Sequence, residues 1–299
     1  MTILRTPDER FQNLPGYDFP PQYVDIADTR MHYVDEGGGD ETVLCLHGEP
    51  TWSYLYRHMI APLAEHYRVV APDMVGFGKS DKYAAQEDYS FHMHYDKLVG
   101  LIKALDLRNI TLVCQDWGGL LGLTTAANHE ERFARLVILN TFLPTGEEKI
   151  SDAFLHWRAF SQKVGTRMQV GRLVAQTITN YELPVEIIAA YDAPFPDDSY
   201  KVGAAVFPSL VPISPDMPGV KEIKAAREVL SRWRKPVQVM FSDGDPILGG
   251  AANFFRRLIP TAADQPEITI QGAGHFLQEE KGAEIAAEVI VFIERTPTS

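Results

Sequence analysis

Three short stretches hold residue types that could do chemistry together: Cys114-Gln115-Asp116-Trp117-Gly118-Gly119, Ser242-Asp243-Gly244-Asp245-Pro246 and Ala273-Gly274-His275-Phe276. Asp116 stands between the β-branched run Ile110-Thr111-Leu112-Val113 and the apolar stretch Leu120 to Ala127. The local order therefore reads strand, sharp turn, helix, which is the setting of a nucleophile elbow. Such a turn needs small neighbours, and Cys114 two before and Gly118 two after are small. The apex residue is a carboxylate, not a hydroxyl. A carboxylate can displace a leaving group from a saturated carbon, leaving an alkyl ester of the enzyme. Water must then cleave that ester, which calls for a base and for oxyanion donors. Taken alone, an Asp after a strand is as readily the N-cap of the next helix.

The base is read in His275, in a Gly-rich loop after the last expected strand, at the carboxyl edge of the sheet. It follows Asp116 in the chain, in the order nucleophile first and histidine last. Asp243 and Asp245 compete for the acid that orients it, with Asp245 preferred; Asn140, at the alternative position, cannot ionise. Either Asp would also suit an Asx-turn. His47-Gly48-Glu49-Pro50 ends another strand, and the backbone N–H of Glu49 with that of Trp117 would form the oxyanion hole.

These residues need a parallel sheet to hold them. Residues 1–21 read as a polar surface arm, and Tyr23–Ile26 with Met31–Val34 as a hairpin. Strands are expected at Thr42–Leu46, Tyr67–Asp73, the elbow run, Arg135–Asn140, Val237–Phe241 and Glu267–Ile270. The expected helices between them include one from Trp52 capped by Thr51, and one from about Met93 to Leu105. That alternation predicts an α/β fold, a mostly parallel central sheet flanked by helices. From 141 to 235 no strand pattern appears, and the stretch is too long for a loop. It is read as an inserted helical cap, with the main domain formed by 1–140 and 236–299.

Length and composition fit such a domain. The 299 residues, 45% hydrophobic and 23% charged, are ordinary for a globular chain. The net charge of −12 argues against nucleic acid and anionic membrane surfaces. Cys45 and Cys114 lie in apolar runs and read as reduced core thiols. No apolar leader or membrane span is evident, so the cytoplasm is the expected compartment and a monomer the expected state. Gly76-Phe77-Gly78-Lys79-Ser80 ends like a phosphate-binding loop, but Asp73 stands where its first glycine belongs, so it reads as structural. His92-Met93-His94 has too few partners for a metal site, and no metal or organic cofactor is expected.

Together, His47-Gly48-Glu49-Pro50-Thr51-Trp52, Gln115-Asp116-Trp117-Gly118-Gly119 and Ala273-Gly274-His275-Phe276 resemble haloalkane dehalogenases of the α/β-hydrolase superfamily, in the branch whose acid follows the seventh strand. The likeness covers nearly the whole chain and is weakest in the cap. It implies Asp116 as nucleophile, His275 as base, Asp245 as acid, and a second task for Glu49 in placing the hydrolytic water. It also implies two indole N–H groups on the departing halide, Trp117 and, from the cap, Trp157. Trp52 and Trp233 read as structural. The expected apolar pocket walls are Phe142, Phe154, Phe207, Pro208, Val211, Ile247 and Leu248.

The reading is therefore hydrolysis of small apolar haloalkanes to a primary alcohol and halide. An epoxide hydrolase would use the same ester chemistry, with Tyr181, Tyr191 or Tyr200 as acids. Fluoroacetate is disfavoured because no arginine flanks the elbow. A non-catalytic binding protein of this fold would have no need of nucleophile, base and acid together.

Overall fold

An eight-stranded sheet organises the chain, seen in a computed structural model that describes residues 1–298. Its strands are β1 (Gln22–Ile26), β2 (Thr29–Glu36), β3 (Thr42–Leu46), β4 (Arg68–Pro72), β5 (Ile110–Cys114), β6 (Phe133–Ile138), β7 (Val237–Ser242) and β8 (Ile268–Ile270). Their order in space is β8-β7-β6-β5-β3-β4-β2-β1. β1 pairs antiparallel with β2 and β2 antiparallel with β4, while all remaining pairs are parallel. Every residue of β3, β5 and β7 is buried. Strands covered on both faces show as unbroken apolar runs rather than alternation, which is why they were legible. A separate two-stranded ribbon joins Ile3–Leu4 to Lys82–Tyr83.

Helices α1 (Arg57–Ala64), α2 (Phe91–Ala104) and α3 (Trp117–Asn128) connect the first parallel strands, and α9 (Ala252–Leu258) and α10 (Leu277–Arg295) complete the layers. α1 packs on α10, and α2 on α3. The first of these departs from expectation. Thr51 does not cap it: its hydroxyl donates to Gly48 O at 2.8 Å, and a 3-10 turn, Ser53–Tyr56, precedes α1. The Ser53 amide goes instead to the Asp73 carboxylate at 2.8 Å. α2 begins at Phe91 because Ser90 caps it, accepting from the Met93 amide.

The same Asp73 explains the Gly76–Ser80 loop. Its buried carboxylate also accepts from the Lys79 amide at 2.8 Å and pairs with His32 Nδ1 at 2.7 Å. Burial alone would raise its pKa, yet His32, then His47 and the Ser53 amide hold it at about 2. The loop is wound round a carboxylate of its own chain, not built for a phosphate.

Between β6 and β7 lie α4 (Asp152–Val164), α5 (Val170–Gln176), α6 (Val185–Asp192), α7 (Val202–Leu210) and α8 (Val220–Leu230), with no strand among the described residues. α4 packs on α7 and α5 on α6. α8, inside the span read as cap, packs against α3 in the main layers. No helix among the described residues is long and apolar enough to cross a membrane.

Strand and helix meet most closely at the elbow. A Cβ on Gly118 would lie 2.1 Å from the Leu46 carbonyl oxygen, and one on Gly119 2.0 Å from the Thr141 hydroxyl. Alanine is the better helix former, but backbone cannot yield that much room. Gly118→Ala is expected to destabilise the protein by about 2–3 kcal/mol in urea unfolding. An unchanged midpoint would show that β3 and α3 can part without cost.

Candidate active site

Asp116 occupies φ 50°, ψ −124°, left-handed backbone that an L-residue adopts only when its surroundings impose it. Its amide donates to Asn140 O at 2.8 Å, and its carbonyl accepts from the Thr141 hydroxyl at 2.7 Å and the Gly119 amide at 2.9 Å. The side chain makes no capping bond to α3, so the N-cap reading fails. The carboxylate points instead at the Gly48–Pro50 loop. A Cβ on Gly48 would stand 2.3 Å from Asp116 Cβ, so only glycine lets this loop approach. The Glu49 amide then donates to Asp116 Oδ1 at 2.8 Å, with the Trp117 amide also acting on the carboxylate.

The other oxygen, Oδ2, faces His275 Nε2 at 3.8 Å, beyond a hydrogen bond. His275 Nδ1 donates to Asp245 Oδ2 at 2.8 Å, leaving Nε2 as the basic nitrogen. Asp245 Oδ1 accepts from the amides of Ile247 and Leu248 at 2.8 and 3.0 Å. Asp243 serves the base loop otherwise, accepting from the Gly272 amide at 2.8 Å. The geometry thus separates the two candidates in favour of Asp245.

Burial sets the charges. It raises the Asp116 pKa above the ordinary value, against the pull of His275 and the two amides. For His275 burial would lower the pKa, but Asp245 and then Asp116 outweigh it and the net shift is upward. For Asp245 burial would raise it, but His275 and the two amides hold it below the usual range. Burial first, and Asp116 second, push Glu49 well up. Its buried Oε1 has no hydrogen-bond partner among the described residues.

Asp116, Glu49, Trp117, Asp245 and His275 border a cavity of about 660 Å³ between the sheet edge and the cap. Trp157, half-buried on α4, lines it too, and Arg158 beside it donates to Pro208 O on α7 and to Val211 O just past its end. Phe142, Phe154, Pro208, Val211, Ile247 and Leu248 are in the wall. Phe207 is not. It is fully buried behind Trp117, ring centroids 4.6 Å apart, because α7 turns Phe207 to the core where it gives Pro208 to the cavity. Trp52 and Trp233 are buried away from the wall. No tyrosine lines the cavity among the described residues; the Tyr181 and Tyr191 hydroxyls both go to Glu279. Among those residues no cluster of His, Cys, Asp or Glu could hold a metal ion.

Sequence reading overlooked two positioning groups. The buried Gln115 side-chain amide donates to His275 O at 3.2 Å and meets its Nε2 at 3.1 Å. Asn140 reaches Ser242 Oγ at 2.7 Å and Gly274 O at 3.2 Å. Gln115 adjoins the nucleophile, which was the one signal available.

Sheet order, elbow and a chain order of nucleophile, acid and base define an α/β hydrolase, and the family model described as alpha/beta hydrolase fold matches residues 41–282. The chain is 46% identical to a haloalkane dehalogenase of Psychrobacter cryohalolentis, over 99% of this chain and 100% of that one. It is 49% identical to a haloalkane dehalogenase of Mycobacterium marinum, over 97% and 99%. The solved tetrameric haloalkane dehalogenase DpaA of Paraglaciecola agarilytica NO2 matches with a TM-score of 0.92 and 42% identity, covering 97% of this chain and 98% of that one. The chain belongs to the haloalkane dehalogenase family, hydrolases acting on carbon–halide bonds.

The triad's electrostatics carry a sign. His275, raised above 6.5, adds stability that is fully present below that value and lost as pH rises through its folded pKa. Asp245, held below 3.8, adds stability present above that value and lost as pH falls through its folded pKa. Asp245→Asn removes the largest group raising His275. Its imidazole titration, followed by NMR, is expected to move down by about one pH unit or more. An unmoved titration would mean that Asp245 does not set the base.

Proposed function

We propose that Asp116, His275 and Asp245 carry out carbon–halide hydrolysis in two steps. Asp116 Oδ2 attacks the halogen-bearing carbon from the cavity floor; the carbon–halogen bond breaks and its electron pair leaves with the halide. Trp117 and Trp157 offer indole N–H donors to that anion, where a cavity with apolar walls strengthens their pull. His275 Nε2 then takes a proton from water, which adds to the carboxyl carbon of the ester. The oxyanion forms on Oδ1, which already accepts from the Glu49 amide, with the Trp117 amide beside the carboxylate; on collapse the His275 imidazolium returns its proton to the departing alkoxide and the alcohol leaves. Asp245 stabilises the imidazolium. Glu49, with its free buried acceptor beside Asp116, helps place the water.

The observation that carries this reading is the split use of the Asp116 carboxylate. Oδ1 accepts from the Glu49 amide at 2.8 Å, and Oδ2 faces the base at 3.8 Å. The epoxide reading lacks support, because no tyrosine reaches the cavity to protonate an epoxide oxygen.

A cavity of about 660 Å³ is in the range that encloses drug-sized ligands. The preferred substrates are therefore placed well beyond two carbons, where the chain reaches Phe142, Val211 and Leu248. We read the working unit as a monomer and its compartment as the cytoplasm, the latter in keeping with two buried free cysteines.

Bromide release from 1-bromoalkanes of two to eight carbons tests the whole reading, with diol formation from styrene oxide measured in parallel. kcat/KM is expected to rise by about threefold per methylene before levelling. Asp116→Ala should release no bromide, and His275→Gln one equivalent, with the alkyl mass retained on the Asp116 peptide. Multiple turnovers in His275→Gln would remove His275 as the base. Diol without bromide would give the site to epoxides.

A further inference from the structure

Two residues after the base, α10 begins, and its first turn carries Glu279 and Glu280. Carboxylates suit a helix N-terminus, but both of these make their bonds elsewhere. Glu279 is buried and takes the Arg57 guanidinium on both oxygens, at 2.6 and 2.5 Å, together with the Tyr191 hydroxyl of α6 in the cap. Glu280 divides its oxygens between two loops. Oε2 accepts from the Gly274 amide at 2.6 Å, one residue before the base. Oε1 accepts from the Thr179 amide at 2.7 Å, the Thr179 hydroxyl at 2.9 Å and the Asn180 amide at 3.2 Å.

Those cap residues belong to the α5–α6 connection, of which Thr177, Ile178 and Thr179 line the substrate cavity. The two loops lie directly on one another: a Cβ on Gly274 would stand 1.9 Å from Thr177 O. The Asn180 side-chain amide crosses the same seam to Gly272 O. A carboxylate that merely capped its helix would accept from that helix's own amides. Glu280 takes four donors from two other segments, and charge-assisted bonds of this kind are the stronger ones.

We propose that Glu280 is a positioning residue whose carboxylate ties the cavity wall Thr177–Asn180 to the loop holding His275, so that substrate enclosure and base placement are set by one group. The inference rests on His275 being the base. Its consequence falls mainly on the second step, because bromide departure does not need His275 in register, whereas ester hydrolysis does.

Glu280→Gln keeps the shape but leaves one acceptor oxygen for two loops. With 1-bromohexane in rapid mixing, the first-turnover bromide release of this variant is expected within about twofold of wild type, and ester hydrolysis slower by about tenfold. A bromide burst would then precede the steady state. Amide exchange should quicken at 177–180 and 272–276 together, with β3 and β5 unchanged. Asn180→Ala, which breaks the parallel link from the cap side, should move the same ratio in the same direction by less. A merely structural role would lower the melting temperature and the active fraction while leaving the ratio of the two steps at the wild-type value, and that result overturns the proposal. The two readings fail separately. If His275→Gln traps the ester but the Glu280→Gln ratio is unmoved, only the tie falls; if His275→Gln turns over, the base assignment falls first.

Discussion

The site depends on a single strained residue. Asp116 is held at φ 50°, a conformation costing on the order of 1–3 kcal/mol, and the neighbouring sheet enforces it. Its amide and carbonyl are both bonded to the segment leaving β6, Asn140 O and the Thr141 hydroxyl. Gly48, Gly118 and Gly119 remove the side chains that would fill the space. The turn lifts the carboxylate clear of α3 and sets it against the Glu49 amide. The other site geometry follows from that placement. Glu49, Trp117 and His275 are arranged around this one carboxylate.

A buried nucleophile next to a second carboxylate poses a charge problem. Were Glu49 ionised, its repulsion would add to the burial that already raises Asp116. Burial first, and Asp116 second, push Glu49 well up, so the two neighbouring carboxyls do not favour charge equally. On the other side His275 spans two carboxylates, each of which favours its proton. Ester formation cancels the charge on Asp116 and with it one of those influences. The imidazole therefore holds its proton less tightly in the intermediate than in the free enzyme.

Legibility followed physical character. β3, β5 and β7 were readable because strands buried on both faces must be apolar throughout, and the residues at their ends carry the chemistry. Asp245 could be preferred over Asp243 but not proved from sequence, since both flank one glycine; the 2.8 Å contact with His275 separates them. Thr51 belongs to a residue type that favours caps, yet its hydroxyl binds Gly48 O and Asp73, distant in sequence, takes the Ser53 amide. Phe207 was misplaced for a related reason. Every residue of an apolar helix such as α7 looks fit for a wall, and only the neighbouring ring of Trp117 shows which face is turned inward. The positioning roles of Gln115 and Asn140 are not legible in sequence, because polar residues that hold backbone carbonyls have no spacing rule.

The cap raises a different constraint. A departing halide is best stabilised where water is scarce, yet the second step consumes a water at the same carbon. A lid that closed independently of the base could meet the first need and miss the second. In this chain the wall and the base share anchors on the first turn of α10, where Glu279 reaches α6 and Glu280 reaches both loops. Under the proposed roles, the wall around the cavity and the placement of Nε2 are then tied through one turn of helix. The apolar walls of Phe142, Phe154 and Val211 can differ in size and shape without disturbing that tie, because they come from segments outside the shared anchor. Such a division lets substrate range vary over a fixed two-step chemistry.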